Sequence, residues 1–567
     1  MTVRGEARLA VRPLAALSAT VAVLVLAPVG GLVFFAARGS GDLWPHLFAN
    51  VLPAALRTTL ALLLGVGVVV AVVGVGAAWL VAMCRFPGRR WLEWALLLPL
   101  SIPTYIGAYA YLDVLHPVGP VQTGLRAIFG LTDPRALWFP EIRSLPGAIL
   151  VLGAVLYPYV YLPTRALFLM ESASMVDAAR SLGASRWRAF LRVAMPLSRP
   201  AVAAGMSLAL LETLNDIGAS SFLGVNTLTV SIYTTWTARS SIEGAAQIAL
   251  VMLVVASALI LLERRARHGK RFAAGGDAPP SARVPLSGVA GAGAAAFCAL
   301  PVFVGFAVPA SYLVVQAWRR VSVFGLPEEL GRWIANTVLL ASIATGIAVA
   351  IALVLVYAAR PLAGTGGGWR AAVPRIASLG YAMPGTVLAV GLLVPVAALD
   401  NLVDDAMRSL FGLSTGLLLS GSGAAVIFAY VLRFLAIPIG TIEAGFAKID
   451  PAIELSARSL GAGARRILLR IHAPLLRPAI LAGALLVFVD CMKELPATLL
   501  LRPFDFETLA TFIYAEAARG TYEDGAIAAL AIVAVSLLPV AVVGLSGRRE
   551  QSAPAFPVQP AVAVGPA

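Results

Sequence analysis

The feature that most constrains this 567-residue chain is a repeat. Asp177 to Pro200 recurs 278 residues later as Leu455 to Pro478, with thirteen of 24 positions identical. Matched pairs include Ala179/Ala457, Arg180/Arg458, Gly183/Gly461, Arg188/Arg466, Arg192/Arg470, Pro196/Pro474 and Arg199/Arg477. The repeated stretch is basic inside an otherwise apolar chain, so the duplication concerns function as well as packing. Each copy reads as a helix ended by a glycine able to adopt positive φ, then a second basic helix, then a proline that stops the second helix before the next apolar run.

Hydrophobic residues make up 59% of the chain and charged ones 13%, and the mean hydropathy is +0.87, which is outside the soluble range. Apolar runs long enough to cross a bilayer occur at about 13–37, 58–83, 91–112, 145–168, 201–218 and 245–262. A second set follows near 289–318, 336–357, 376–396, 416–440, 479–489 with its continuation, and 525–545. The fold class expected is all-α and polytopic, with about 12 spans as two parallel six-helix repeats. The first run is too long for a signal-peptide core and is read as a span that stays.

The expected organisation is an N-terminal segment with the first span (1–57), a first repeat domain (58–262) and a linker on the inner face (263–285). A linking span with an outer loop (286–335), a second repeat domain (336–545) and a tail (546–567) follow. The offset reaches Thr59/Thr337 and shifts by three at Ser101-Ile-Pro103/Ala382-Met-Pro384. Placing the N-terminus inside puts 29 of the 43 Lys and Arg on inner segments, which obeys the positive-inside rule. Both repeated elbows and both termini then face the cytoplasm. The net charge of +14 is thereby used by the membrane, and nucleic acid is not needed as a partner.

Three cysteines and four histidines are scattered, so neither a disulfide framework nor a metal site is expected. The chain shows no P-loop: Gly269-Lys270 is followed by Arg271 and lacks the upstream glycine. An enzyme is not expected, and energy has to arrive through a partner. Ionisable residues inside spans cost about 2.5–3.5 kcal/mol each on insertion scales, which makes them functional candidates. Glu212 and Asp216 have counterparts at the same offset in Asp490 and Glu494, four residues apart and expected on one helix face, with Lys493 adjacent and Arg433 in the tenth run. Two readings are open for them: they line a translocation path, or they pair with Lys493, Arg433 or helix-end backbone and hold the halves together.

Asp177-Ala178-Ala179, Gly183, Val193 and Met195-Pro196 resemble the EAA loop of binding-protein-dependent ABC transporter permeases. The second copy keeps Ser456-Ala457, Gly461, Ile471 and Pro474, but has Leu455 at the acidic position and Glu454 one place early. The resemblance implies a type I importer permease whose loops 177–196 and 455–474 couple to ATPase subunits. Asp177, Ala178, Ala179, Gly183, Pro196, Ser456, Ala457, Gly461 and Pro474 are the positions it marks. Val489 to Phe504 with Glu507 to Tyr514, and Leu214 to Ala219 with Ser231 to Tyr233, are similar to fused ferric-iron permeases. This likeness implies inner-membrane import of ferric iron, two ATPase subunits carrying ATP and Mg, and a periplasmic or lipid-anchored binding protein. No cofactor is expected on this chain. Thiamine, a polyamine or an organic anion is the alternative substrate, and a 12-helix secondary transporter is the alternative class.

Overall fold

The computed structural model describes residues 3–133, 136–170, 179, 181–267, 283–359 and 368–552. Among the described residues, eight helices are long and apolar enough to cross a membrane, and four further pairs of helices qualify when each bent pair is taken as one span. In chain order the twelve are Thr20–Arg38, Leu43–Met83, the pair Arg89–Ser101 and Thr104–Val114, the pair Leu145–Leu156 and Pro158–Leu169, Phe190–Asn215 and Ile242–Ala266. The second half continues with Gly288–Phe324, Leu330–Ala359, Gly385–Phe411, the pair Ala424–Phe434 and Ala436–Phe446, the pair Arg465–Leu475 and Arg477–Met492, and Tyr522–Val542. On the second span Leu60, Leu64, Val68 and Val72 recur every four residues and are all exposed, a stripe facing lipid.

Span ends move from the hydropathy reading because helices continue past the apolar runs. The second starts at Leu43 and the fifth at Phe190 and ends at Asn215. The third is bent by 92° between Ser101 and Thr104. Ile102 is extended there, at φ −100° and ψ 109°, as a residue before proline prefers. Met383 before Pro384 does the same in the second half, at φ −84° and ψ 124°, so the ninth run of 376–396 is interrupted at that point.

Pro196 does not stop the elbow's second helix, contrary to expectation. A wide π-turn at Phe190–Ala194 precedes it and the helix runs on as Met195–Asn215. Proline lacks an N–H and crowds the preceding turn, and the widened turn gives its ring room. The second copy has the same π-turn at Leu468–His472, yet it bends by 76° between Leu475 and Arg477, two residues beyond Pro474.

The halves interlock. The first span packs against Gly385–Phe411 of the second half, with Gly31 and Gly391 so close that a methyl group on either would strike the other helix's backbone. The seventh span returns the exchange, placing Gly305 against the Ala154 carbonyl of the fourth. The stretch read as a linker is partly built in: Val284–Pro285 pairs in parallel with Cys84–Arg85 after the second span. Equivalent threonines fasten each half. Thr59 Oγ1 donates to Ala55 O (2.7 Å) and accepts from Leu228 N (2.9 Å), while Thr337 Oγ1 donates to Trp333 O (2.7 Å) and accepts from Leu509 N (2.9 Å).

Candidate translocation site and coupling elbows

The fifth span ends at Asn215 because Asp216 turns extended, at φ −69° and ψ 119°. A five-residue helix, Gly218–Phe222, follows. The eleventh repeats the scheme: the helix ends at Met492, Lys493 and Glu494 form the turn, and Pro496–Leu501 is the short helix. Asp216 and Glu494 therefore do not share a helix face with Glu212 and Asp490, as four-residue spacing had suggested. They lie beyond the helix ends, where backbone N–H groups of the short helices would otherwise be unpaired in an apolar setting.

Both carboxylates meet those donors. Asp216 Oδ1 accepts from Ser220 N at 2.8 Å, and its other oxygen accepts from Thr104 Oγ1. Glu494 Oε1 accepts from Ala497 N and Oε2 from Thr498 N, each at 3.0 Å, and Thr498 Oγ1 adds a bond of 2.8 Å. Arg433 Nη1 pairs with Glu494 Oε1 at 3.0 Å. The same nitrogen donates across the halves to Asn215 Oδ1 at 3.2 Å, and Gly385 N donates to that oxygen at 2.5 Å. Asn215 thus joins the fifth span to two elements of the second half. Sequence reasoning assigned it no role, although an amide in an apolar run directly before Asp216 was a visible signal.

Glu212, Asp490 and Lys493 are only partly buried. Lys493 Nζ pairs with Asp490 Oδ1 at 2.8 Å, and Glu212 lies within electrostatic reach of Arg433, Lys493 and Asp490. All five predicted residues, with Asn215, Arg433 and Tyr159, line one cavity of about 90 Å³ between the halves. The structure brings Glu212 and Asp216 together with Asp490, Lys493 and Glu494. Among the described residues no group of three or more His, Cys, Asp and Glu is arranged as a resident metal site.

The elbows lie apart from this cavity. Asp177 and Ala178 fall outside the described residues. Gly183 has φ 87° and Gly461 φ 79°, the left-handed region that glycine enters at low cost. Ala184 N donates to Ala179 O and Ala462 N to Ala457 O, each at 3.0 Å, the six-to-one bond of a glycine-ended helix. Before each glycine stands an exposed leucine, Leu182 at 89% and Leu460 at 86%. Sequence reasoning missed them, although they are identical at the repeat offset. Ser456 and Pro474 are exposed, while Ala179, Ala457 and Pro196 are half-buried. Glu454 turns into its own elbow, pairing with Arg458 at 2.6 Å and approaching His472 at 3.6 Å. Leu455 is left facing out.

Residues 71–268 match the family model for the inner membrane component of binding-protein-dependent transport systems. An Fe(3+)-transport system permease of Haemophilus influenzae is 24% identical over 499 residues, covering 87% of this chain and 90% of that protein. A probable molybdenum ABC transporter permease of Haloferax volcanii is 30% identical over 240 residues, 42% of this chain and 83% of that protein. A putative 2-aminoethylphosphonate transport system permease of Salmonella choleraesuis is 28% identical over 254 residues, 43% of this chain and 88% of that protein. The chain belongs to the binding-protein-dependent ABC transporter permeases, and two permease halves are fused in it. It is a multi-pass membrane protein and a transporter component.

Proposed function

We propose that this permease imports ferric iron. The observation that carries the reading is the charge balance of the cavity between the halves, where four carboxylates (Glu212, Asp216, Asp490, Glu494) face two cations (Arg433, Lys493). A net negative, oxygen-rich lining favours a hard cation over an oxyanion. Similarity along 87% of the chain to a permease named for Fe(3+) supports the same choice. The pairing of Lys493 with Asp490 keeps the lining from holding the ion too tightly for transit.

Two ATPase subunits, carrying ATP and Mg, dock on the elbows from the cytoplasm, where both termini also lie. The exposed Leu182 and Leu460 supply the apolar contact, and Gly183 and Gly461 set its angle. A periplasmic or lipid-anchored binding protein delivers the ion to the opposite face, and no cofactor resides on this chain.

The test is uptake into proteoliposomes holding the chain with its ATPase and binding protein, using ⁵⁵Fe(III), radiolabelled molybdate and thiamine in parallel. ATP-dependent accumulation of iron alone is expected. Accumulation of molybdate or thiamine without iron would overturn the substrate assignment while leaving the ABC class intact.

A further inference from the structure

Where the second span ends and the third begins, the guanidinium groups of Arg89 and Arg165 close on the carboxylate of Glu93, and those of Arg85, Arg90 and Arg283 lie within electrostatic reach of these two. Buried Glu93 pairs with Arg89 at 3.2 Å and with Arg165, and its backbone carbonyl accepts from Tyr161 OH at 2.9 Å. Arg89 also donates to Val81 O at 3.0 Å. Arg283 arrives from the segment between the halves: its Nε donates to Ala82 O at 3.1 Å, and Leu286 N donates to Arg85 O at 2.8 Å. Arg85 and Arg90 point outward and are exposed.

These cations act on one another. Arg89 feels Arg90 and Arg85, Arg165 feels Arg89 and Arg283, and Arg283 feels Arg89 and Arg85. Burial first, and then Arg89 and Arg85, hold the Arg283 guanidinium below its ordinary value, as expected of a cation short of an anion. Arg165 Nε is buried with no hydrogen-bond partner among the described residues. Glu93 can neutralise one of the five charges.

The surroundings are apolar and open to the bilayer. Trp91, on the same short helix as Arg89 and Arg90, is 65% exposed, and Val289 at the start of the seventh span is 90% exposed. The Arg165 guanidinium lies 5.5 Å from the Trp94 ring centroid. A soluble anion has no use for that apolar border, whereas a lipid presents a phosphate and acyl chains together. We propose that Arg85, Arg90, Arg165 and Arg283 bind the phosphate headgroup of an anionic phospholipid in the leaflet on the elbow side, with its acyl chains against Trp91 and Val289. The lipid bridges the loop after the second span and the segment entering the second half.

Native mass spectrometry of the detergent-solubilised full chain, titrated with phosphatidylglycerol or phosphatidylcholine, tests this. The unmodified chain should retain phosphatidylglycerol preferentially. Arg85→Gln/Arg90→Gln/Arg283→Gln should lose on the order of 100-fold in phosphatidylglycerol affinity, with phosphatidylcholine unchanged. Arg465→Gln/Arg466→Gln/Arg470→Gln, which removes three exposed charges from the second elbow, should keep its affinity. Equal retention of both lipids, undiminished binding by the first variant, an equal loss in the second, or displacement of the lipid by equimolar inorganic phosphate would each overturn the proposal. Should the first variant melt early, Arg85→Gln/Arg90→Gln carries the test, since both residues are exposed, with a loss of about 10-fold or more expected.

Discussion

Arg433 Nη1 stands 3.0 Å from Glu494 Oε1 and 3.2 Å from Asn215 Oδ1, so one guanidinium nitrogen serves an ion pair within the second half and a hydrogen bond to the first. Breaking a buried pair from one side leaves an uncompensated charge at a cost of about 3–5 kcal/mol. Glu494 keeps its short-helix donors, so Arg433→Met is expected near the lower figure, read as a fall in melting temperature in detergent. Adding Glu494→Gln should restore much of the loss. Arg433→Met melting with the unmodified protein would deny the pair any structural weight.

The paired threonines give a prediction about symmetry. Thr59→Val and Thr337→Val each leave a buried backbone N–H, that of Leu228 or Leu509, without its acceptor. Each should cost about 1–3 kcal/mol. The sites lie in different halves and share no partner, so the double variant should equal the sum within about 0.5 kcal/mol. Chemical denaturation of the three variants measures this, and a clear departure from additivity would mean that the two sites are energetically coupled across the halves.

At the elbows, a β-branched residue in the left-handed region costs about 1–2 kcal/mol. A Cβ added at Gly183 or Gly461 meets no atom within 4 Å among the described residues, so the effect of Gly183→Val and Gly461→Val is expected on backbone angle first. Substrate-stimulated ATPase activity should drop while membrane insertion persists. Normal stimulation in both would count against coupling through these turns.

Leu182→Ser and Leu460→Ser remove apolar side chains that are almost fully exposed. Melting should be unchanged, and co-purification of the ATPase should weaken several-fold in each and further in the pair. Undiminished co-purification would show that the leucines do not dock.

For the cavity, Glu212→Gln and Asp490→Asn keep size while removing charge. ⁵⁵Fe uptake should fall about 10-fold with protein level unchanged, a barrier increase of about 1.4 kcal/mol. A fall in protein level at normal specific uptake would assign both residues to helix pairing instead.

The apolar runs and the 278-residue offset make the all-α architecture and its two-fold repetition legible in sequence, because hydropathy and identity are local properties. The positive-φ glycines at 183 and 461 were legible for the same reason. Pro196 was misread as a helix stop because proline's effect depends on the turn before it, and a π-turn leaves no hydropathy signature. The carboxylates were found, and Lys493, Arg433 and helix-end backbone were among the partners considered for them, but Thr104, Asn215 and Gly385 were not, because they come from distant parts of the chain.

By itself, then, the sequence determined that this chain spans a membrane as a duplicated permease with two basic elbows, since burial in lipid demands long apolar helices and duplication leaves matching residues. Only the tertiary structure decided which half each first span joins, which carboxylates cap short helices while lining the cavity, and that Arg283 returns to the loop after the second span. Those outcomes depend on contacts between residues as many as 360 positions apart, Gly31 and Gly391 among them, and no local pattern encodes such a separation.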